Sequence, residues 1–334
     1  RFIMNKSIIL NSRPDGLPTK ENFLLKTEEI PKIVEGEILL KALYVSVDPY
    51  IRGRMNDVKS YVPPFEVGKP MQSAVVAEVV ESKNKGYSVG THLTGMMEWK
   101  KYQVSKGVGL FPVSADLAPL SSYLGVLGVT GLTAYFGLLE IGKPKEGETL
   151  VVSGAAGAVG ITVSEIGRIK GCKVVGIAGS DEKTKQLKDK FKLDEAINYK
   201  KTNNMAKAIK EACPNGVDIY FDNVGGVVSD GVMLNANNFC RVPVCGAISQ
   251  YNDKSLTVGP RINPIIIRNR VRLQGFIVFD YADKYLEAQM KLAEWIKAGK
   301  ISIKETIIEG FENIPEAFLG LFDGKNIGKM IVKI

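Results

Sequence analysis

The 334-residue chain contains one histidine, four cysteines and no apolar run near the roughly 18 residues that a membrane-spanning helix needs. Each shortage removes a class of protein. A Ser–His–Asp hydrolase would need His92 beside an activated serine, and no Gly-x-Ser-x-Gly elbow exists. Catalytic zinc takes three good ligands, usually from His, Cys or Glu. The cysteines, at 172, 213, 240 and 245, form no Cys-x-x-Cys pair, and none lies in the first half of the chain. No metal site is expected, nor the regular cysteine spacing of a disulfide-stapled secreted domain. Cys240 and Cys245 flank an apolar run and are read as core thiols. No block of five or six like charges appears either. Lys+Arg number 44 against 36 Asp+Glu, but the lysines alternate with acids, as in Asp181-Glu182-Lys183-Thr184-Lys185. In the densest basic stretch, Arg261, Arg268, Arg270 and Arg272 are diluted by Ile262, Ile265, Ile266 and Ile267. Neither a nucleic-acid nor a membrane partner is expected. The first residues carry no long apolar segment of a signal peptide, which points to the cytoplasm; Met4 is the expected natural start, with Arg1–Ile3 left from a tag.

The length suggests about two domains. Up to about residue 120 the chain is rich in β-branched runs bounded by Gly and Pro, such as Glu37–Val47 and Ser73–Val80, and reads as a mostly β domain. From Leu124 short apolar strands alternate with amphipathic helices, the pattern of a parallel sheet wrapped by helices. The expected strands are Thr149–Ser153, Lys173–Ala178, Ala196–Asn198, Val217–Phe221, Phe239–Val244 and Arg272–Ile277. A helix over Tyr281–Ala298 is expected to bury Leu286, Met290, Ala293 and Ile296. The fold class is therefore α/β: a Rossmann doubly wound parallel sheet plus a mostly β domain. The expected division is 1–123, 124–299 and a return segment 300–334 that completes the first domain.

The strongest motif is Ser153-Gly154-Ala155-Ala156-Gly157-Ala158-Val159-Gly160, which follows one strand and opens a helix. A dinucleotide pyrophosphate requires this arrangement, because the backbone must approach it closely and free helix-start N–H groups must face it. NAD sites place an acid at the end of the second strand to bind the ribose hydroxyls. Here that strand ends in Gly179-Ser180, which leaves room for a 2′-phosphate, and Lys183 lies one turn into the next helix. The cofactor read from these residues is NADPH.

The stretches Val47–Arg52 (VDPYIR), Gly131–Leu139 (GLTAYFGLL), Phe221–Gly226 (FDNVGG), Cys245–Asn252 (CGAISQYN) and Gly324–Lys329 (GKNIGK) then fall into place. In them the chain resembles the zinc-free medium-chain dehydrogenase/reductase superfamily. More narrowly, it resembles the branch of prostaglandin reductases, plant double-bond reductases and bacterial curcumin reductases. Arg52–Met55, Ser60–Pro64 and Arg272–Phe276 add similarity to the bacterial curcumin reductase. The resemblance implies a GroES-like first domain, a homodimer, and NADPH-dependent reduction of the carbon–carbon double bond of α,β-unsaturated ketones and aldehydes. It places Ala156, Gly157, Ala158, Val159 and Gly160 at the pyrophosphate and Lys183 and Tyr199 at the 2′-phosphate. Thr133 is placed at the carboxamide and Asn223 by the cofactor; Cys245, Gly246, Ala247, Ile248, Ser249 and Tyr251, with Phe276, Ile277 and Val278, line the nicotinamide half, and Asn326 closes the site. Val129-Thr130, where relatives often carry Met-Pro, is a departure.

Enone reduction requires a donor at the carbonyl oxygen and a proton at the α-carbon. With no histidine to spare, Tyr251, Tyr61 and Tyr50 compete for that role, alongside the ribose 2′-hydroxyl of the cofactor. A quinone reductase and a non-catalytic NADPH-binding protein are the alternatives.

Overall fold

The computed structural model describes residues 4–334, so the expected tag residues Arg1–Ile3 lie outside the described residues. The chain forms two compact units. The first comprises the chain up to Leu124 with Glu305–Lys325 and Met330–Ile334, and the second comprises Gly125–Lys304 with Asn326–Lys329. The anticipated return segment 300–334 is thus divided. Residues 300–304 and Asn326–Lys329 belong to the second unit, where Gly328 N–H donates to Ala156 O at 2.7 Å and Lys329 N–H to Lys304 O at 3.0 Å.

In the second unit six strands, β1 (Thr149–Ser153), β2 (Lys173–Ala178), β3 (Glu195–Asn198), β4 (Val217–Phe221), β5 (Ala236–Val244) and β6 (Arg272–Gly275), lie side by side in the order 3-2-1-4-5-6. All five pairings are parallel. This is the doubly wound sheet that the alternation of strand and helix predicts. Every residue of β1 is buried, as a strand covered on both faces requires. Chain order reverses between β1 and β4, so the crevice at their C-terminal ends is the topological switch point where ligands of such sheets bind. Helix α1 (Ala158–Ile169) leaves β1 through the glycine loop, and α2 (Asp181–Asp189) leaves β2. Ser180 caps α2 as its sequence predicts, its Oγ accepting the Lys183 N–H at 3.2 Å.

The helix expected over Tyr281–Ala298 begins at Tyr285 and runs to Lys297, after a 3-10 stretch over Val278–Lys284. Its buried stripe is Ala288, Leu292 and Trp295, whereas Leu286 and Met290 are 71% and 66% exposed. The expected stripe was on the wrong face because Trp295 turns inward toward an aromatic group of Tyr135, Phe136, Tyr281 and Tyr285. The isoleucine-rich stretch forms a helix, Asn263–Asn269; Ile262 and Ile266 pack on the core while Ile267 is exposed. Nearby, Lys143 and Arg270 end helices in the left-handed conformation, where a cation complements the C-terminal carbonyls.

In the first unit, Ile38–Ser46 pairs antiparallel with Gln72–Ser82, with the returning strand Lys329–Lys333 and with Tyr102–Ser105. Glu305–Glu309, His92–Glu98 and Phe111–Val113 complete a seven-stranded sheet. Its core includes Trp99, Phe311 and Phe318, and the Trp99 indole N–H donates to Ser73 Oγ at 2.7 Å. His92 occupies a strand position opposite Glu78 and Val113. No helix among the described residues is long and apolar enough to cross a membrane.

Glu165, on the buried face of α1, is 4% exposed and accepts from the Ser302 N–H and hydroxyl. Burial pushes its carboxyl up to about 7 from the ordinary 4.5, only partly countered by Ser302. The folded state therefore holds this proton more tightly than the unfolded chain, and stability falls as pH rises from about 4.5 to about 7. Glu165→Gln should flatten thermal stability across that window and raise the melting temperature at pH 8 but not at pH 4.5. An unchanged slope in calorimetry would show that other groups set it.

Candidate cofactor and active site

The end of β1 carries the glycine loop, and its shape depends on missing side chains. Gly154 adopts φ +59°, and a Cβ on Gly160 would lie 2.2 Å from Gly154 O and 2.7 Å from Ala155 Cα. Only glycine permits α1 to start this close to its own strand. No side chain caps α1 at Gly157, so the first-turn N–H groups of Ala158, Val159 and Gly160 remain available to an anion. The tail segment docks here: Gly328 forms a parallel bridge with Gly157, and Asn326 Nδ2 donates to Gly328 O at 2.9 Å. Asn326 is thereby brought beside the glycine loop, with its amide engaged in shaping its own turn.

At the end of β2, Gly179 faces a 3-10 turn, Tyr199–Lys201. A Cβ on Gly179 would meet Tyr199 Cε1 at 3.1 Å, Tyr199 Oη at 3.2 Å and Lys200 Cε at 3.4 Å. Lys183 is half-buried, and burial and then the like charge of Lys200 lower its pKa, with Glu182 opposing. The nearby acid Asp181 is otherwise engaged. It pairs with Lys201 and accepts from Asn198 Nδ2 at 2.9 Å, and these contacts hold its carboxyl below the usual range. Two lysines thus converge beside a phenol with the Asp181 carboxylate engaged elsewhere, a set that suits a phosphate. Lys200 was missed by sequence reasoning; its one signal was adjacency to Tyr199.

The other missed residue is Asp222, 5% exposed at the end of β4. Its Oδ1 accepts from the Val224 and Gly225 N–H groups at 2.9 and 2.8 Å and from the Tyr220 hydroxyl at 2.9 Å, and Oδ2 accepts from Ser229 Oγ at 2.9 Å. Ser153 Oγ, at the end of β1, lies 3.3 Å from Oδ1 and accepts the Asn223 N–H at 3.0 Å. Asn223 Nδ2 donates to Ser153 O at 2.8 Å. The Asp222 carbonyl in turn accepts from Cys245 and Gly246 N–H at 2.9 and 3.1 Å. One residue therefore joins the ends of β1, β4 and β5.

The loop Cys245–Tyr251 hangs from this point. Ser249 N–H and Oγ both donate to Val224 O, and Ala247 N–H donates to the Tyr251 hydroxyl at 3.1 Å. Burial raises the Tyr251 pKa, so this phenol stays neutral with its own proton uncommitted. Phe276 points its ring at Gly137 and Phe221, and Val278 is buried, so both pack the interior of the unit. Ile277 is half-buried. Thr133 Oγ1 donates to Val129 O at 2.7 Å within its own helix. Burial pushes the Cys172 and Cys213 thiols up to about 11 and those of Cys240 and Cys245 up to about 12, which leaves no thiolate nucleophile.

Tyr50 and Tyr61 belong to the first unit. Tyr50 is half-buried at the start of a helical turn, Ile51–Arg54, which is closed by Ile51 N–H donating to Asp48 O. Tyr61 is 55% exposed on the following loop. Burial first, then the Asp48 charge, hold the Tyr50 phenol above its usual range, while Arg54 pulls it down. No group of three or more His, Cys, Asp and Glu side chains among the described residues could hold a metal ion.

A glycine cradle at the switch point of a sheet in the order 3-2-1-4-5-6 defines a dinucleotide-binding α/β fold. The family described as "N-terminal domain of oxidoreductase" matches residues 6–113, and that described as "Zinc-binding dehydrogenase" matches residues 158–295. The chain is 54% identical to a Bacillus subtilis (strain 168) protein with a provisional NADP-dependent oxidoreductase name, over 98% of this chain and 97% of that one. It is 43% identical to the NADPH-dependent curcumin reductase of Escherichia coli (strain K12), covering 99% and 97%. It is 42% identical to the NADP(+)-dependent 2-alkenal reductase of Nicotiana tabacum, covering 99% and 98%. The structure of CurA in complex with NADPH from Vibrio vulnificus superposes with a TM-score of 0.94 at 44% identity, covering 98% of both chains. The chain belongs to the medium-chain dehydrogenase/reductase family, in the branch of curcumin, prostaglandin and 2-alkenal reductases.

Asp222→Ala would leave the Val224 and Gly225 N–H groups and the Tyr220 hydroxyl without their acceptor, at a cost of about 3 kcal/mol in stability. Denaturant unfolding measures this, and a loss under about 1 kcal/mol would show that other contacts hold the strand ends.

Proposed function

We propose that the protein is a cytoplasmic, zinc-independent NADPH-dependent reductase of the carbon–carbon double bond of α,β-unsaturated ketones and aldehydes. The observation that carries the cofactor is the convergence of half-buried Lys183 with Lys200 and Tyr199 beside Gly179, with the Asp181 carboxylate taken up by Lys201 and Asn198. The residues fit the group. Ala156–Gly160 would hold the pyrophosphate by backbone N–H groups, Lys183, Lys200 and Tyr199 the 2′-phosphate, and Asn223 and Cys245–Tyr251 the nicotinamide half. The names of the relatives support the substrate class, since they include a curcumin reductase and a 2-alkenal reductase, each dependent on NADPH or NADP(+).

When bound, NADPH supplies the hydride that goes to the β-carbon of the enone. The chain's task is to stabilise the negative charge that gathers on the carbonyl oxygen and to bring a proton to the α-carbon. A neutral phenol aimed at that oxygen lowers the barrier by on the order of 3 kcal/mol. Tyr251 is half-buried, and its hydroxyl accepts the Ala247 N–H while its own proton has no acceptor among the described residues, as this role needs. Tyr61, exposed on its loop, and Tyr50 are the further candidates. Burial keeps the Tyr251 and Tyr50 phenols protonated at neutral pH, as a donor requires. A homodimer is also part of this reading. β6 is an edge strand with its outer side unpaired, and Leu273 on it is 46% exposed, a template for a second copy.

Lys183→Ala should weaken NADPH roughly 10- to 100-fold while changing NADH little, as loss of one charge-assisted contact to the 2′-phosphate predicts. Equal weakening of both, measured by nucleotide fluorescence, would refute the phosphate assignment. NADPH oxidation followed at 340 nm with enones, quinones and alcohols tests the reaction, and turnover of quinones alone would replace the enone by a quinone. In Tyr251→Phe, kcat on an enone should fall roughly 10- to 100-fold with NADPH affinity retained; an unchanged kcat would pass the donor role to Tyr61 or Tyr50.

A further inference from the structure

We infer that Arg54 is a positioning residue for this reaction: it fastens the loop carrying Tyr61 to the helical turn that begins at Tyr50 and holds a positive charge beside both phenols. The inference rests on the tyrosine reading above and concerns a residue that reading leaves idle. Arg54 grips the loop three ways. Its carbonyl accepts the Phe65 N–H at 2.7 Å, its Nε donates to Pro63 O at 2.9 Å, and its guanidinium lies over the Phe65 ring, 4.0 Å from the centroid. Phe65 is 4% exposed, so the plane on which the guanidinium stacks is anchored in the core. Pro63 and Pro64 restrict the backbone between that anchor and Tyr61. Arg13 reinforces the same junction, donating to Met55 O at 2.9 Å and to Phe65 O at 3.0 Å.

Arg54 differs from Arg13 in where its charge goes. Arg13 reaches the Asp57 carboxylate at 3.9 Å, whereas no carboxylate among the described residues pairs with Arg54. Among the described residues, one of its five N–H donors is spent, on Pro63. A partly buried cation without a counter-ion is costly, and burial disfavours its charged form here. Tyr50 and Arg54 stand four residues apart on one helical turn, so their side chains share a face, and the Tyr50 and Tyr61 phenols are the groups whose ionisation this charge would favour. A cation fixed beside two phenols makes each a stronger hydrogen-bond donor and stabilises the charge that develops as a phenol gives its proton toward the enolate. A residue that merely stapled the loop would require the Pro63 and Phe65 contacts but no uncompensated charge.

The test uses the full chain, NADPH and an enone, with kcat, KM and nucleotide affinity measured against pH for Arg54→Met, Arg54→Lys, Tyr50→Phe and Tyr61→Phe. Arg54→Met should lower kcat roughly 10- to 100-fold with NADPH affinity unchanged, and should move the alkaline limb of the kcat profile to higher pH. Arg54→Lys, which restores the charge without the fork, should return the limb to its wild-type position and recover part of kcat. An unchanged kcat and limb in Arg54→Met would overturn the inference. So would an Arg54→Lys variant as slow as Arg54→Met with the limb unmoved in both, since that marks a staple alone. If Arg54→Met does not fold, Arg54→Gln against Arg54→Lys makes the same comparison. The Phe variants report on the tyrosine reading separately. If both keep wild-type kcat, the donor role stays with Tyr251 and the present inference fails because neither phenol beside Arg54 takes part; if either is slow while the Arg54 variants are not, only the present inference fails.

Discussion

The buried carboxylate of Asp222 is the contact on which the rest of the nucleotide-binding unit depends. It lies where β1, β4 and β5 end, and it takes two backbone N–H groups and the hydroxyls of Tyr220, Ser229 and Ser153 as partners, with no cation paired to it among the described residues. A charge this deep is tolerated only when its lone pairs are satisfied. The requirement therefore runs outward: Val224 and Gly225 must turn back toward it, and Tyr220 and Ser229 must face inward. The Asp222 carbonyl fixes Cys245 and Gly246, and the loop to Tyr251 follows from their placement. The switch-point crevice is thus shaped by one side chain that does not itself face it as a free group.

Around that anchor the cofactor cradle is made largely from omitted atoms. Gly160 lets α1 begin against the turn after β1, and Gly179 leaves the space that Tyr199 and Lys200 border. The charges are arranged by the same logic. Asp181 sits in the first turn of α2, where its sign suits the helix start, yet its carboxylate is taken by Lys201 and Asn198. Lys183 and Lys200 are left close enough for like charge to act between them. In the first unit Arg54 likewise holds a charge without a carboxylate partner, beside Tyr50 and Tyr61.

Much of this was legible in the chain. The glycine spacing after an apolar strand, and the absence of an acid at Gly179-Ser180, follow from steric and electrostatic demands that act within a few residues. The six strands were legible for the same reason, since a strand buried on both faces leaves a short apolar run between turn residues. The buried face of the helix from Tyr285 was not. Two apolar stripes are available on that helix, and only the aromatic group around Phe136 selects the one with Trp295. Asp222 escaped notice because its partners, Ser153 and Ser229 among them, are far apart in the chain or ordinary in type. Lys200 escaped because a lysine beside a turn reads as solvated until Gly179 and Lys183 are seen next to it.

By itself the sequence determined the doubly wound sheet, the glycine loop, the family and the poverty of histidine. Those properties depend on local periodicity, on backbone freedom at single glycines and on which residue types are present at all. The tertiary structure alone decided which acid is silenced, which lysines converge, how the strand ends are tied together and which phenol keeps its proton free. These depend on distances between residues remote in the chain, and on burial, which sets the cost of every unpaired charge.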